Sequence, residues 1–389
     1  MRNILAAPAL FILTLLLLPS SVCAGTNGGA SVTPSPPVRA TVSVLLPPAA
    51  LAMNTPAVDD TLLAYAMPTA FTPTGVSLGG PVRLMGVPLQ ATAHGLRAGS
   101  PHPICTITGL PDLKVAPFSS SGGWVVYGAY ENSNTALWTL GFCQVATGRH
   151  VVLDTSARER GGDNLPVTRS DGRTIIWATQ TQAPGQRRPT SIVRTYDLTT
   201  GKQRVLVQGG DPRKFVYGAV SVSGRRALVE KQNYVGLETD EFLLADLDTG
   251  RLRPLGAPRH DIYGPTLSGE TVAYGVGGPD ANGGTGGVGV GAYDVPTGRR
   301  VEITGSIVTS QQAVAGHDIV YVQGVPPQGL VSTLWLYDLR TGRRTALVRP
   351  DMPRYYGAGS EVFSGGHIVA YVRGLPHVRQ RPVVLLLLA

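Results

Sequence analysis

Few clusters in this 389-residue chain have the residue types and spacing to carry chemistry. Ser77 stands in Gly75-Val76-Ser77-Leu78-Gly79, the spacing of a nucleophile elbow, whose serine would attack an acyl carbon. That device needs a strand before the serine and a helix after it, and here Gly80-Pro81 follows instead. Gly284-Thr285-Gly286-Gly287-Val288-Gly289 has the spacing of a dinucleotide fingerprint, in which a helix N-terminus would hold a pyrophosphate. The following residues, Val290 to Asp294, read as a strand, so the glycine-rich segment is expected to be a long flexible loop. The histidines (His94, His102, His150, His260, His317, His367, His377) lack metal-ligand spacing. His317 and His367 fall at equivalent turn positions of successive repeats, which favours a structural role. His260-Asp261 and Glu230-Lys231 stand alone in sequence. No residue is therefore assigned to catalysis, to a cofactor or to a metal.

Any site must be positioned by a repeated unit. Leu137 to Gly148, Tyr196 to Gly201, Ala245 to Gly250, Tyr293 to Gly298 and Tyr337 to Gly342 share one pattern, an apolar strand running into a Thr-Gly turn. Their closing glycines, Gly148, Gly201, Gly250, Gly298 and Gly342, recur roughly every 50 residues, the period of an array of supersecondary units. In the last four repeats Asp197, Asp246, Asp294 and Asp338 can accept hydrogen bonds from the turn's N–H groups, and the glycine supplies the positive φ that closes the hairpin. A cation follows each glycine (Arg149, Lys202, Arg251, Arg299, Arg343) and opens a more polar strand, as suits an outer edge that must not pair with other chains. Upstream of each hairpin lies a small polar turn and a buried run. Examples are Ser121 to Tyr127, Ser170 to Trp177, Ser223 to Val229, Ser268 to Tyr274, Gly316 to Tyr321 and Ser364 to Tyr371. The two elements together supply the four strands of one unit.

The Ser170-Asp171-Gly172-Arg173 turn and the repeated Tyr-Asp-Leu-x-Thr-Gly hairpin resemble the repeats of the TolB-like (WD40-like) β-propeller family, over roughly residues 113 to 389. The resemblance implies an all-β propeller of four-stranded blades. It is unspecific for function, because such blades serve binding scaffolds, peptidase propeller domains and polysaccharide lyases alike. The chain departs from TolB itself between Gly25 and Pro117, where no alternating strand and helix pattern marks the α/β domain that TolB proteins carry before the propeller. Residues 51–109 fit a degenerate first blade. The last blade ends at Pro382 to Ala389 without an outer strand, and residues 39–46 are a surplus strand at the opposite terminus. Seven blades are expected, with the N-terminal strand closing the last one. Six blades with an irregular N-terminal segment are the alternative.

The termini and composition bound the setting. Arg2, the apolar run Ile4 to Leu18, and Val22 and Ala24 at the peptidase-read positions form a secretory signal, residues 1–24. Cys23 could instead be the acylated residue of a lipoprotein, but Ser20-Ser21-Val22 fits that signal poorly. Residues 25–38 read as a flexible leader and 39–389 as the propeller, with no transmembrane helix left after cleavage. The formal charge of +8 comes from arginines scattered singly and in pairs, since Lys114, Lys202, Lys214 and Lys231 are the only lysines. A solvated surface is favoured over a nucleic-acid site. With Cys23 removed, Cys105 and Cys143 remain as a pair in an oxidising compartment. They fall on the outer strand of blade one and the third strand of blade two, so a bridge between packed blades is possible.

Two functions are compatible with these features. The first is an extracytoplasmic, monomeric, non-catalytic propeller, periplasmic or secreted, that binds a protein or carbohydrate on one ring face. The second is a propeller enzyme, a polysaccharide lyase or a lactone or glycoside hydrolase. The binding reading is preferred because every catalytic motif either repeats from blade to blade or lies in the wrong local structure. The recognition face is expected on the unrepeated loops 179–190, 231–240, 276–287 and 323–331, with Gly277 to Gly286 as the segment whose deletion should weaken binding.

Overall fold

The second strand of each repeat is apolar at consecutive positions because both of its faces are buried between neighbouring blades. In the computed structural model Ile175 packs toward the preceding blade, beside Phe142 and Leu140. Ile176, the next residue, packs toward the following one, beside Val229 and Ala245. The structure describes residues 38–389 except 48, 51–55, 72–78, 111, 132–135, 158–164, 167, 182–189, 211–213, 234–240, 256–261, 280–284, 305–307, 316, 325–331, 349–357, 374–381 and 389. The described residues lie in one unit, Pro36–Ala389.

The chain opens with β1 (Val38–Leu45). Blade one follows with β2 (Ala57–Val58), β3 (Leu62–Pro68), β4 (Val82–Thr92), β5 (Gly95–Ala98) and β6 (His102–Ile107). Blade two is β7 (Leu113–Ser121), β8 (Trp124–Glu131), β9 (Trp138–Gln144) and β10 (His150–Thr155). Blade three is β11 (Thr168–Ser170), β12 (Thr174–Thr181), β13 (Thr190–Asp197) and β14 (Lys202–Gly209). Blade four is β15 (Phe215–Ser223), β16 (Arg226–Asn233), β17 (Glu241–Asp246) and β18 (Leu252–Pro254). Blade five is β19 (Ile262–Ser268), β20 (Thr271–Pro279), β21 (Thr285–Asp294) and β22 (Arg300–Thr304). Blade six is β23 (Val308–Ala315), β24 (Asp318–Gly324), β25 (Ser332–Asp338) and β26 (Arg344–Val348), and blade seven is β27 (Ala358–Gly365), β28 (Ile368–Arg373) and β29 (Pro382–Leu388).

All strand pairs are antiparallel, and β1 completes blade seven in the order β1-β29-β28-β27. The expected seven blades and the closure by the N-terminal strand are therefore the observed architecture, and the six-blade alternative falls. The innermost strands β2, β7, β11, β15, β19, β23 and β27 contact one another in turn and return to β2, a closed ring about a central axis.

Seven apolar clusters hold the ring, one per blade interface. Leu84 and Val115 share the cluster between blades one and two, Leu228 and Val272 that between four and five, and Leu63 and Leu385 that between one and seven. One strand was not foreseen. β4 runs past its sheet and turns back as β5, and a Cβ placed on Gly95 would stand 3.4 Å from Ala40 of β1, so this hairpin lies against the closing strand.

The third-to-outer turns are locked by their own side chains. Asp197 Oδ1 accepts from the N–H groups of Thr199 and Thr200, both at 2.8 Å, while Gly201 N–H donates to the Asp197 carbonyl at 2.8 Å with φ +67°. Asp246 and Asp294 hold Thr249 and Thr297 in the same way, and Asp338 holds Arg340 and Thr341. The closing glycines Gly250, Gly298 and Gly342 each donate to the matching aspartate carbonyl. Blade two has Gln144 in the aspartate's place, where Thr147 Oγ1 donates to its Oε1 at 2.8 Å.

Candidate functional site

The pairing registers give every blade one position at the same depth on its innermost strand. Ser119 pairs with Val126, Arg169 with Ile176, Ser221 with Leu228, Thr266 with Ala273, Ala313 with Val320, Phe363 with Ala370 and Ala57 with Ala64. In each case the next residue of the second strand is buried, and in six blades it is aromatic: Tyr127, Trp177, Tyr274, Tyr321, Tyr371 and Tyr65, with Val229 in blade four. Six of these ring positions (Ala57, Ser119, Arg169, Ser221, Thr266 and Ala313) line a cavity of about 360 Å³ where the innermost strands run into their turns, and Gly366 adds blade seven to its wall.

The chemistry of this cavity is hydroxyl-rich, with one cation at the ring. Arg169 is exposed to the cavity space yet hemmed in by protein, and that desolvation lowers its guanidinium below the ordinary arginine range. Among the described residues its hydrogen-bond partner is the Thr168 carbonyl, at 3.0 Å. The carboxylates nearby are already engaged. Asp171 accepts from Arg173 N (3.0 Å), Thr174 N (2.8 Å) and, across the blade boundary, Gly224 N (2.7 Å). Asp59, next to the lining residue Val58, accepts from Thr61 N (2.7 Å), Thr61 Oγ1 (2.7 Å), Leu62 N (2.8 Å) and Ser120 Oγ of blade two (2.9 Å). Ser221 Oγ donates to the Leu267 carbonyl at 3.1 Å. Ser119 Oγ is buried without a partner among the described residues.

These bonds also join blade to blade around the cavity rim. Besides Asp171 to Gly224, Ser223 Oγ accepts from Gly269 N at 2.8 Å, and Asp60 of blade one takes the N–H groups of His367 and Ile368 in blade seven. The Gly122 and Gly172 turns touch so closely that a Cβ on Gly172 would meet Gly122 N at 2.9 Å. Rim turns fixed in this manner hold the lining side chains in register.

A second polar node lies inside the ring wall, away from the axis. Asp154 on β10 accepts from the Trp177 indole N–H at 3.0 Å and faces Arg194 at 3.9 Å, both of blade three. Arg194 also donates to Thr179 Oγ1. All four side chains are buried or nearly so, and they pin blade two to blade three. At the edge of blade two, Tyr127 OH bonds the His150 ring; burial pushes the phenol up and the imidazole down.

The residues singled out from sequence are dispersed. Cys105 and Cys143 form a disulfide with Cα atoms 6.3 Å apart, which links β6 of blade one to β9 of blade two. Glu230 and Lys231 sit on β16, with Lys231 paired to Glu241 at 3.1 Å and over the Phe215 ring. His317 and His367 occupy equivalent turns, their carbonyls accepting from Leu339 N and Leu388 N. Ser77 and His260-Asp261 lie outside the described residues, as do most of the four proposed recognition loops. The glycine-rich stretch corrects one expectation: Gly286 and Gly287 pair with Gly278 and Gly277 within the β20–β21 hairpin, so residues 285–289 are strand and not loop. Backbone pairing extends there because glycine leaves no side chain to demand burial. Arg169 was missed. Its sequence signal is a cation at the interval before the buried-run terminus where the other repeats place alanine, serine, threonine or phenylalanine.

No protein-family model matches the chain, and no curated protein does. Solved structures share its fold. The β-propeller domain of the Trilobed protease from Pyrococcus furiosus superposes with a TM-score of 0.54 at 11% identity, over 90% of this chain and 94% of that one. A prolyl endopeptidase gives 0.55 at 13%, over 82% of this chain and 46% of that one. The acylaminoacyl peptidase of Pyrococcus horikoshii gives 0.53 at 13%, over 88% and 51%. The chain thus spans about half the length of these two peptidases. The Pyrococcus furiosus propeller has an open velcro topology, whereas here β1 zips onto β29.

Proposed function

We propose that the protein is an exported, monomeric, non-catalytic binding propeller with TolB-like repeats, which recognises a protein or carbohydrate ligand on a ring face. The observation that supports this reading best is the axial cavity to which all seven blades contribute. Convergent polar groups in a preformed concavity suit recognition. Its neighbouring carboxylates, Asp59 and Asp171, are taken up as turn acceptors. The aspartates of the outer hairpins serve their turns in the same way. Export agrees with the N-terminal signal, and the Cys105–Cys143 bridge suits an oxidising compartment. No helix among the described residues is long and apolar enough to cross a membrane.

The test is to incubate the purified exported chain with polysaccharides and lactones, and in parallel to measure binding to envelope proteins and to an oligosaccharide array. Saturable binding without product is the expected result. Product formation that disappears when a cavity-lining residue is replaced would establish the enzyme instead, a polysaccharide lyase or a lactone or glycoside hydrolase.

A further inference from the structure

We propose that the axial cavity is an oxyanion site in which Arg169 of blade three grips the carboxylate of a small hydroxylated monocarboxylate, with Ser221 of blade four and Thr266 of blade five meeting its hydroxyl groups. The proposal deepens the binding reading above by naming a ligand class for this cavity.

Geometry carries the argument. Apart from Phe363 of blade seven, the ring positions are alanine, serine, threonine and a single arginine, and these six line the same cavity at one depth. A guanidinium presents five N–H donors in a planar fork that matches a carboxylate bidentately. Here the Thr168 carbonyl uses part of that capacity. Asp171 on the same wall spends both oxygens on three backbone N–H groups, so among the described residues no protein carboxylate fills the guanidinium fork. Arg169 is exposed to the cavity with most of its donors unused among the described residues, so an anion there can fill the fork. Asp171 also sets the ligand's charge. One guanidinium beside one carboxylate favours a monoanion over a dianion, which the second negative charge would repel. Thr266 and Ser221 bring further hydroxyl groups to the same wall. A volume of about 360 Å³ lies within the range of small-molecule sites.

The experiment uses the exported chain and three probes, gluconate, inorganic phosphate and neutral sorbitol, followed by calorimetry and by the Arg169 Nε–H resonance. Gluconate should bind saturably and shift that resonance, phosphate should bind at least several-fold more weakly, and sorbitol should not bind. Arg169→Gln should weaken gluconate at least tenfold and leave the thermal midpoint nearly unchanged, since among the described residues the exposed guanidinium bonds only the Thr168 carbonyl. Arg169→Lys keeps the charge but not the fork and should fall in between. Thr266→Val should cost two- to fivefold. The proposal is overturned if wild-type protein does not bind gluconate, if Arg169→Gln binds it undiminished, or if phosphate binds as tightly. Catalytic turnover would overturn the binding reading but leave this titration unaffected, so the two can fail separately.

Discussion

The carboxylate of Asp60, in the turn after β2, accepts the backbone N–H groups of His367 at 2.6 Å and Ile368 at 3.1 Å, and its second oxygen lies 3.2 Å from His367 Nδ1. Blade one thereby clamps the turn of blade seven at the innermost strands, while β1 pairs with β29 at the outer edge. The ring is closed at both radii.

Asp60→Ala should therefore loosen the closure. Loss of two exposed, charge-assisted bonds should lower stability by about 1–2 kcal/mol in urea titrations. The amides of His367 and Ile368 should exchange faster, while those of β16 stay protected. Gly366 has φ +66°, and a Cβ there would meet Asp60 Oδ2 at 2.1 Å, so Gly366→Ala must displace the same carboxylate. The double substitution should then cost less than the sum of the two. Additive losses would show that the clamp is not shared.

Asp154 of blade two accepts from the Trp177 indole and faces the Arg194 guanidinium at 3.9 Å, both of blade three. Asp154→Ala leaves the buried Trp177 indole N–H without its acceptor and removes the carboxylate that faces Arg194, and should cost about 1–3 kcal/mol. Asp154→Asn keeps an acceptor for the indole and should cost less. Equal losses would mean that packing, not charge, holds this interface.

The Cys105–Cys143 bridge closes a loop of sequence separation 38. Restricting the unfolded chain over such a loop is worth at most about 4 kcal/mol. Non-reducing peptide mapping of the exported protein should find the two cysteines in one cross-linked pair. The Cys105→Ser/Cys143→Ser protein should unfold earlier by up to that amount. Free thiols in the exported protein would contradict the pairing.

Acid should destabilise the protein in two stages. Burial lowers the His150 imidazole, so the folded state prefers the neutral ring; that stability is full above the ordinary histidine pKa of about 6.5 and is lost as pH falls through it. The turn aspartates titrate lower. Asp197 is held down first by the Thr200 backbone, Asp246 by the Thr249 backbone and Asp294 by the Thr297 hydroxyl. Their contribution is present above about pH 4 and is lost below it, as pH falls through the depressed folded values. His150→Asn should flatten the upper stage of the thermal midpoint against pH. Asp246→Asn should reduce only the lower stage. A profile unchanged by either substitution would show that other groups govern acid unfolding.

Read alone, the amino-acid order dictates local structure. A Tyr-Asp-Leu-x-Thr-Gly hairpin carries its own turn geometry, because the aspartate bonds N–H groups only two or three residues away and glycine tolerates the positive φ. Consecutive apolar residues such as Ile175-Ile176 mark a strand buried on both faces. Repetition of these signals, with one strand missing at the last blade and one spare at the start, was enough to count seven blades and to close the ring. The glycine-rich stretch at 284–289 misled because glycine marks loops by propensity, while pairing with Gly277 and Gly278 made it strand. Tertiary structure alone decided the cavity. Ser119, Arg169, Ser221 and Thr266 lie on four separate blades, and only the stacking of those blades about one axis brings them to one wall. The same stacking occupies Asp171 with the next blade's backbone and desolvates Arg169, so that an arginine which reads as one more surface charge in the chain becomes the cation at the centre of the fold.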